Sequence, residues 1–277
     1  MTNRIRLAAI LILLRLHPSV AAATLTEQTK AAWDAYLQAA NAAMQARLQP
    51  GARFLWLDDE PGRAEVIRTK GPYIAPVGPH IPKKVPSGLI HDWLGVAFVP
   101  NVTIEDIVRI LRDYDRYKEI YKPAVIDSMS RGTDGVKDLF SMRLANKSVV
   151  AKTALETDCE ASYFRVDDRH WYGISNTTHI QEIAKFGTPG QRTFPEDHGT
   201  GLIWRLSSIT RLEERDGGVY VELEAIALSR DIPVAFRLFV TPIVRRVSRD
   251  SLATSLHQTK VAIDDSMAHR KREVPPQ

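Results

Sequence analysis

The chain has 277 residues, 44% of them hydrophobic and 25% charged, enough for one large core or for one domain with an extension. Residues 1–23 carry Arg4, Arg6 and Arg15 and no acid. Setting them aside takes the formal net charge from +4 to a near balance of 34 basic against 33 acidic residues, which excludes a global electrostatic case for nucleic acid.

Residues 1–23 read as a signal peptide: a basic "MTNRIR", an apolar "LAAILILL" at 7–14, and Ala21-Ala22-Ala23 as the cleavage site. Eight apolar residues followed by Arg15 are too few to span a bilayer. The chain is therefore expected in the periplasm or the medium, starting after Ala23. Residues 24–87 form an N-terminal extension. Within it, 26–49 is an alanine-rich amphipathic helix with Trp33, Tyr36, Leu37, Ala40, Met44 and Leu48 at helical spacing. "ARFLWLDDEPGRAEVIRTKG" suggests two short strands about a Pro-Gly turn, and the Pro- and Gly-rich 71–87 an extended connection.

The main domain, 88–264, opens with the strand "LIHDWLGVAFVP". Thr103 and Asp106 then start an amphipathic helix with Ile104, Ile107, Val108, Leu111 and Tyr114 on one stripe. "DYDRYKEIY" continues that helix or starts a second, and ends at Pro123. The period then changes to two. Hairpins are expected at Asp134-Gly135, near Asp167-Asp168 and at Asp216-Gly217-Gly218, with "GTPGQRTFPEDHG" as a loop. Pro233 is read as opening a short helix, and Thr241-Pro242 as the N-cap and first residue of a long one. Residues 265–277 read as a frayed, disordered tail. The fold class is α+β, a curved antiparallel sheet with helices on one side.

"GVAFVPNVTIEDIVRILRDYDRYKEIYKP", the hairpin series and "IALSRDIPVAFRLFVTPIVRRVSRDSLATSLHQT" resemble the START-like (SRPBCC, helix-grip) superfamily over about residues 88–264. The resemblance lies in element order, without a catalytic signature. It implies a sheet of about seven strands wrapped on the C-terminal helix, with an apolar cavity between. Members bind lipids, sterols, quinones, polyketides or plant hormones, and a minority catalyse cyclisation or hydrolysis.

Strand alternation assigns faces for such a cavity. Phe140, Met142 and Leu144 share one face, as do Leu202, Trp204, Leu206 and Leu212, and Val219, Val221, Leu223 and Ala225. Their polar neighbours, Arg205, Arg211, Glu213, Glu222 and Glu224, take the other. Tyr114, Tyr117, Tyr121 and Tyr172 suit a cavity mouth, combining an apolar body with a hydroxyl. The final helix adds Phe239, Ile243 and Val247, on a face that continues through Ser251, Thr254, Gln258 and Val261. The alternative for each residue is ordinary core packing.

Catalytic and metal patterns are missing. No H-E-x-x-H, C-x-x-C or G-x-S-x-G occurs, and no metal or cofactor is expected. His170 and His179, nine apart, fall on opposite faces unless a bulge intervenes. Asp167, Asp168 and His170 sit at a hairpin turn, as solvated residues or an acid–base set. The lone Cys159 excludes an intrachain disulfide and reads as a structural thiol. Three functions stay open. The first is an exported carrier that shields a hydrophobic small molecule from water. The second is a cyclase- or hydrolase-like enzyme using Tyr, Asp or His residues of the same cavity. The third is a module making transient membrane contact through Arg237, Arg245, Arg246 and Arg249.

Overall fold

The structure is a computed structural model that describes residues 22–147, 152–233 and 237–273. It is α+β, with one large antiparallel sheet and a long C-terminal helix, the helix-grip arrangement expected. Residues 1–21, most of the stretch read as a signal peptide, lie outside the described residues.

In chain order the first elements are β1 (Ala23–Thr24), α1 (Glu27–Arg47), a 3-10 turn at Trp56–Asp59 and α2 (Arg63–Lys70). Then come β2 (Tyr73–Pro76), β3 (Lys83–Val85) and β4 (Gly88–Pro100), followed by α3 (Ile104–Leu111), a 3-10 turn at Tyr114–Arg116 and α4 (Tyr117–Ile120). The sheet continues with β5 (Val125–Asp134), β6 (Lys137–Lys147), β7 (Lys152–Arg165) and β8 (His170–Ala184). It ends with β9 (Arg192–Thr193), β10 (His198–Gly199), β11 (Arg205–Arg215) and β12 (Gly218–Arg230), before α5 (Arg237–Glu273). The large sheet runs β2-β4-β12-β11-β8-β7-β6-β5, with β3 also on β4 and β9 on β8, so it has ten strands where about seven were expected. The predicted hairpins form. Asp216 and Gly217 both have positive φ, 56° and 77°, as a two-residue hairpin turn requires.

Two of the three extra strands, β2 and β3, come from the stretch read as an unpaired connection, and the third, β9, from the stretch read as a loop. β2 and β3 pair with β4, and Pro76 of β2 fits because Pro is tolerated at a sheet edge. The two strands expected around Pro61-Gly62 are instead the 3-10 turn and α2. The Glu222 carboxylate accepts from the backbone N–H groups of Trp56 and Leu57 at 3.2 and 3.3 Å, and left-handed Gly62 precedes α2.

The extension covers the sheet's outer face. Met44, Phe54, Leu55, Leu57 and Ile67 pack with Leu94, Val96, Ile209 and Tyr220, while Trp33 packs with Ile90, Ile226 and Leu228. Arg211, Glu222 and Glu224, expected on a solvated face, are therefore buried. Arg211 Nε donates to Glu222 at 2.6 Å, and its Nη2 reaches Glu224 at 3.4 Å. Beside them the Tyr36 hydroxyl of α1 donates to Asp92 Oδ2 at 2.8 Å, while Oδ1 has no partner among the described residues.

Burial first, and then the Glu224 carboxylate, push the Asp92 carboxyl well above its ordinary range. A carboxyl that keeps its proton in the folded chain after the unfolded one has lost it stabilises fully in acid. That stabilisation fades as pH rises through the raised value. Asp92→Asn removes the fade. Urea midpoints of wild type and variant should diverge from about pH 4 upward, in the variant's favour. Midpoints that stay parallel across that range contradict the buried, protonated carboxyl.

α5 lies on the inner face and packs on β4, β2, α3 and α4. Leu252, Leu256, Thr259 and Ile263 form its buried stripe. Gly95 of β4 has no room for a side chain there, since a Cβ would sit 2.6 Å from Leu256 Cδ1. The expected break at Pro242 is not seen. The helix begins at Arg237 and runs through Pro242, which lies inside it in the second turn and leaves one backbone hydrogen bond unmade. It continues to Glu273 through much of the expected tail, and Arg270 is held by Asp106 at 2.6 Å. Among the described residues, no helix is long and apolar enough to cross a membrane.

Candidate functional site

The candidate site is the inner face under the first half of α5. Opposed residues of an antiparallel sheet point to the same side, so the register groups them into rows. One row is Trp171, Leu212, Val221 and Ala97, and the next Tyr163, Gly173, Thr210, Leu223 and Gly95. Then come Ala161, Ser175, Ser208, Ala225 and Trp93, followed by Cys159, Thr177, Leu206, Ala227 and His91. Leu212, Val221 and Ala97 are buried under α5. In the last two rows Ser175, Ser208, Ala225, Thr177, Leu206 and Ala227 are only half-buried in mid-sheet.

Small residues explain the gap. Alanine, serine and threonine on the floor leave space that leucine or phenylalanine would fill. The helix above offers Val244 and Ser248, also half-buried. Among the described residues, the floor is therefore close-packed toward the end where β4 leads into α3 and only half-buried toward the end where α5 starts. Polar groups there are few. Thr177 Oγ1 is engaged by the Leu206 backbone, accepting from N–H at 3.0 Å and donating to C=O at 3.1 Å. The Tyr121 hydroxyl lies 3.0 Å from Thr259 Oγ1, joining α4 to α5. Burial pushes the Cys159 thiol up to about 11, so it stays protonated and unreactive, as a structural thiol should.

Phe140, Met142 and Leu144 lie on the inner face as expected, and so does Leu206, with Phe140 buried and the other three half-buried. Tyr114 is core: it stacks on Phe140 at 4.2 Å and donates to Asp138 at 3.0 Å. Tyr117 and Tyr121 are half-buried beside it.

Five expected residues are elsewhere. Tyr172 alternates with Trp171 and Gly173 and so lies on the outer face, stacked on Phe164 at 4.9 Å. β11 begins only at Arg205, so alternation does not extend to the residues before it. Leu202 is exposed in that approach, and Trp204 packs under α1 with Trp33. Ile243 and Val247 face outward at 62% and 58% exposure, because the stripe that meets the sheet is Val244, Ser248 and Leu252. The Phe239 side chain lies outside the described residues.

The histidines also differ from expectation. β8 has a bulge that leaves Thr178 without a partner, so His179 returns to the face that holds His170. Nine residues along a strand still separate them by roughly 30 Å. His179 pairs with Glu196 at 3.1 Å, and His170 lies 2.9 Å from Asp167 at its hairpin. Among the described residues, no group of His, Cys, Asp or Glu side chains is placed to hold a metal ion.

Two polar clefts lie away from the floor. One, of about 330 Å³, is on the outer side of β5 to β8 and includes Arg143, Glu156 and His179. The other, of about 620 Å³, lies at the start of α3 and includes Asp106, Arg169 and Glu214. Neither has the apolar lining that burial of a hydrophobic molecule needs.

No protein-family model matches the chain, and comparison with curated proteins finds no match. Among solved structures, the chain is similar to a STAR-related lipid transfer protein from Xanthomonas axonopodis at 12% identity and TM-score 0.45, covering 69% of this chain and 98% of that one. Human STARD10 is similar at 8% identity and TM-score 0.45, over 82% and 87%. The Zhui aromatase/cyclase from Streptomyces sp. R1128 is similar at 9% identity and TM-score 0.40, over 63% and 94%.

Proposed function

We propose that this chain is an exported carrier that holds a hydrophobic small molecule, of lipid, sterol, quinone or polyketide type, between α5 and the inner face of the sheet. The observation that carries the reading is the floor itself. Apolar and small residues stay half-buried in the middle of a sheet, under a helix whose buried residues, among those described, all lie from Leu252 onward. A molecule lying there gains roughly 25 cal/mol for each Å² of apolar surface it buries, without any catalytic group. Tyr172 and His179, a tyrosine and a histidine that the enzyme alternative would draw on, lie on the outer face, away from this floor.

Organic extraction of the protein purified from its own cells, followed by mass spectrometry, tests the reading. A hydrophobic molecule recovered at near one per chain supports it, and an extract no different from that of an unrelated protein contradicts it. The export half rests on residues 1–23. It predicts that the protein in the periplasmic or medium fraction begins at Thr24.

A second reading, transient contact with a membrane, draws on exposed Ile243 and Val247 beside Arg246 and Arg249 at the start of α5. Salt-sensitive binding to anionic vesicles would support it, and no binding would remove it.

A further inference from the structure

His91 and Trp93 are neighbours on the inner face of β4, at the edge of the two open rows. They are 5% and 8% exposed. His91 Nε2 lies 2.9 Å from Ser229 Oγ on β12. His91 Nδ1 and Trp93 Nε1 are both buried and have no hydrogen-bond partner among the described residues. Leaving a buried polar atom unpaired costs about 1–3 kcal/mol, so two at adjacent positions on the floor call for a partner from outside the chain.

The two atoms define the chemistry of that partner. Ser229 Oγ donates to the Arg230 carbonyl at 3.2 Å. Its proton is then in use, so His91 Nε2–H donates to Ser229 Oγ and Nδ1 is left as an acceptor. Burial pushes the His91 pKa down to about 4, which keeps the ring neutral at physiological pH. Trp93 Nε1–H can only donate. One acceptor beside one donor matches a hydroxyl group, which gives one proton and accepts one. A carboxylate would set its lone pairs against Nδ1, and a hydrocarbon would leave both atoms unpaired.

We propose that His91, Trp93 and Ser229 form the anchor for the hydroxyl group of a hydrophobic alcohol whose chain lies along the Ala225 and Ala227 rows. This rests on the carrier reading and names its ligand class. Both anchor atoms are shut off from solvent, so the alcohol reaches them when the first half of α5 moves aside. Among the described residues, that half meets the fold through half-buried Val244 and Ser248, against buried Leu252, Leu256 and Ile263 further on.

Displacement of the neutral fluorophore N-phenyl-1-naphthylamine by four probes tests the anchor in the full-length protein. The probes are hexadecan-1-ol, 1-methoxyhexadecane, hexadecane and hexadecanoate. Wild type should prefer the alcohol over the methyl ether by roughly three- to tenfold, one neutral hydrogen bond's worth. Trp93→Phe keeps the ring but removes the donor that alcohol and ether oxygens both accept from, and should weaken both of them relative to hexadecane. Ser229→Ala, which no longer holds the proton on Nε2 and so no longer fixes Nδ1 as the acceptor, should reduce the preference for the alcohol over the ether, and either variant serves if the other does not fold. Equal affinity for alcohol and ether in the wild type, a preference for hexadecanoate, alcohol and ether binding that Trp93→Phe does not weaken, or a preference unchanged in folded Ser229→Ala overturns the anchor and leaves the carrier reading standing. Failure to bind the fluorophore and all four probes overturns the carrier reading itself.

Discussion

Replacing Arg211 with alanine should lower the stability of the folded chain by about 3–5 kcal/mol, the largest loss expected of any single substitution considered. Arg211 is 3% exposed, and it is the cation that faces the buried Glu222 and Glu224 carboxylates. Removing it leaves them in low dielectric with only the more distant Arg47 as a counter-charge. The effect reaches beyond the pair, because Glu222 also accepts from the Trp56 and Leu57 backbone. The cation therefore helps hold the N-terminal extension on the outer face.

Urea denaturation followed by circular dichroism measures the loss. Arg211→Met restores bulk but not charge and should rescue little. Adding Glu222→Gln should recover part of the loss, since one of the stranded charges goes with it. A loss within about 1 kcal/mol for Arg211→Ala would mean that the carboxylates find solvent, as an exposed pair would.

Ala227→Trp should remove hydrophobic binding while leaving the fold intact. Ala227 is a half-buried member of the open rows, opposite Leu206 on one side and His91 on the other. An indole there occupies the space assigned to the ligand. Affinity for N-phenyl-1-naphthylamine should fall at least about tenfold, a loss of about 1.4 kcal/mol or more. Stability should move little, because the space is open. If the floor were close-packed, the same substitution would instead cost about 1–3 kcal/mol of stability by overpacking. There would then be no binding to lose. The two measurements together separate a ligand cleft from an ordinary core.

The parts of the fold that the sequence makes legible are local ones. Asp134-Gly135 and Asp216-Gly217 specify hairpin turns through glycine's freedom at positive φ, and period-two runs specify the strands between them. Phe140, Met142, Leu144 and Leu223 fall on the inner face because alternation within a strand allows no other choice. What alternation cannot supply is what covers the opposite face. Arg211, Glu222 and Glu224 look solvated in the sequence, and only the docking of the extension buries them.

The same limit applies to α5. Ile243 and Val247 make a stripe as apolar as any other on the helix, but the sheet meets the stripe through Leu252 and Leu256, where Gly95 lets the helix approach. Tyr172 and His179 fail for a third reason. A single unpaired residue in β8 and the alternation around Trp171 reassign their faces. His91, Trp93 and Ser229 are far apart or inconspicuous in the chain, and only the pairing of β4 with β12 brings them to one place.

The central claim is that a hydrophobic molecule lies between α5 and the small-residue floor. A crystal structure of the protein with a bromine-labelled long-chain alcohol locates the bromine directly by its anomalous signal. The claim predicts bromine within van der Waals contact of the inner face, beside Ser208, Ala225 or Ala227. Bromine found only at the outer cleft of Arg143 and His179, or at no ordered position in a crystal saturated with the alcohol, would contradict it.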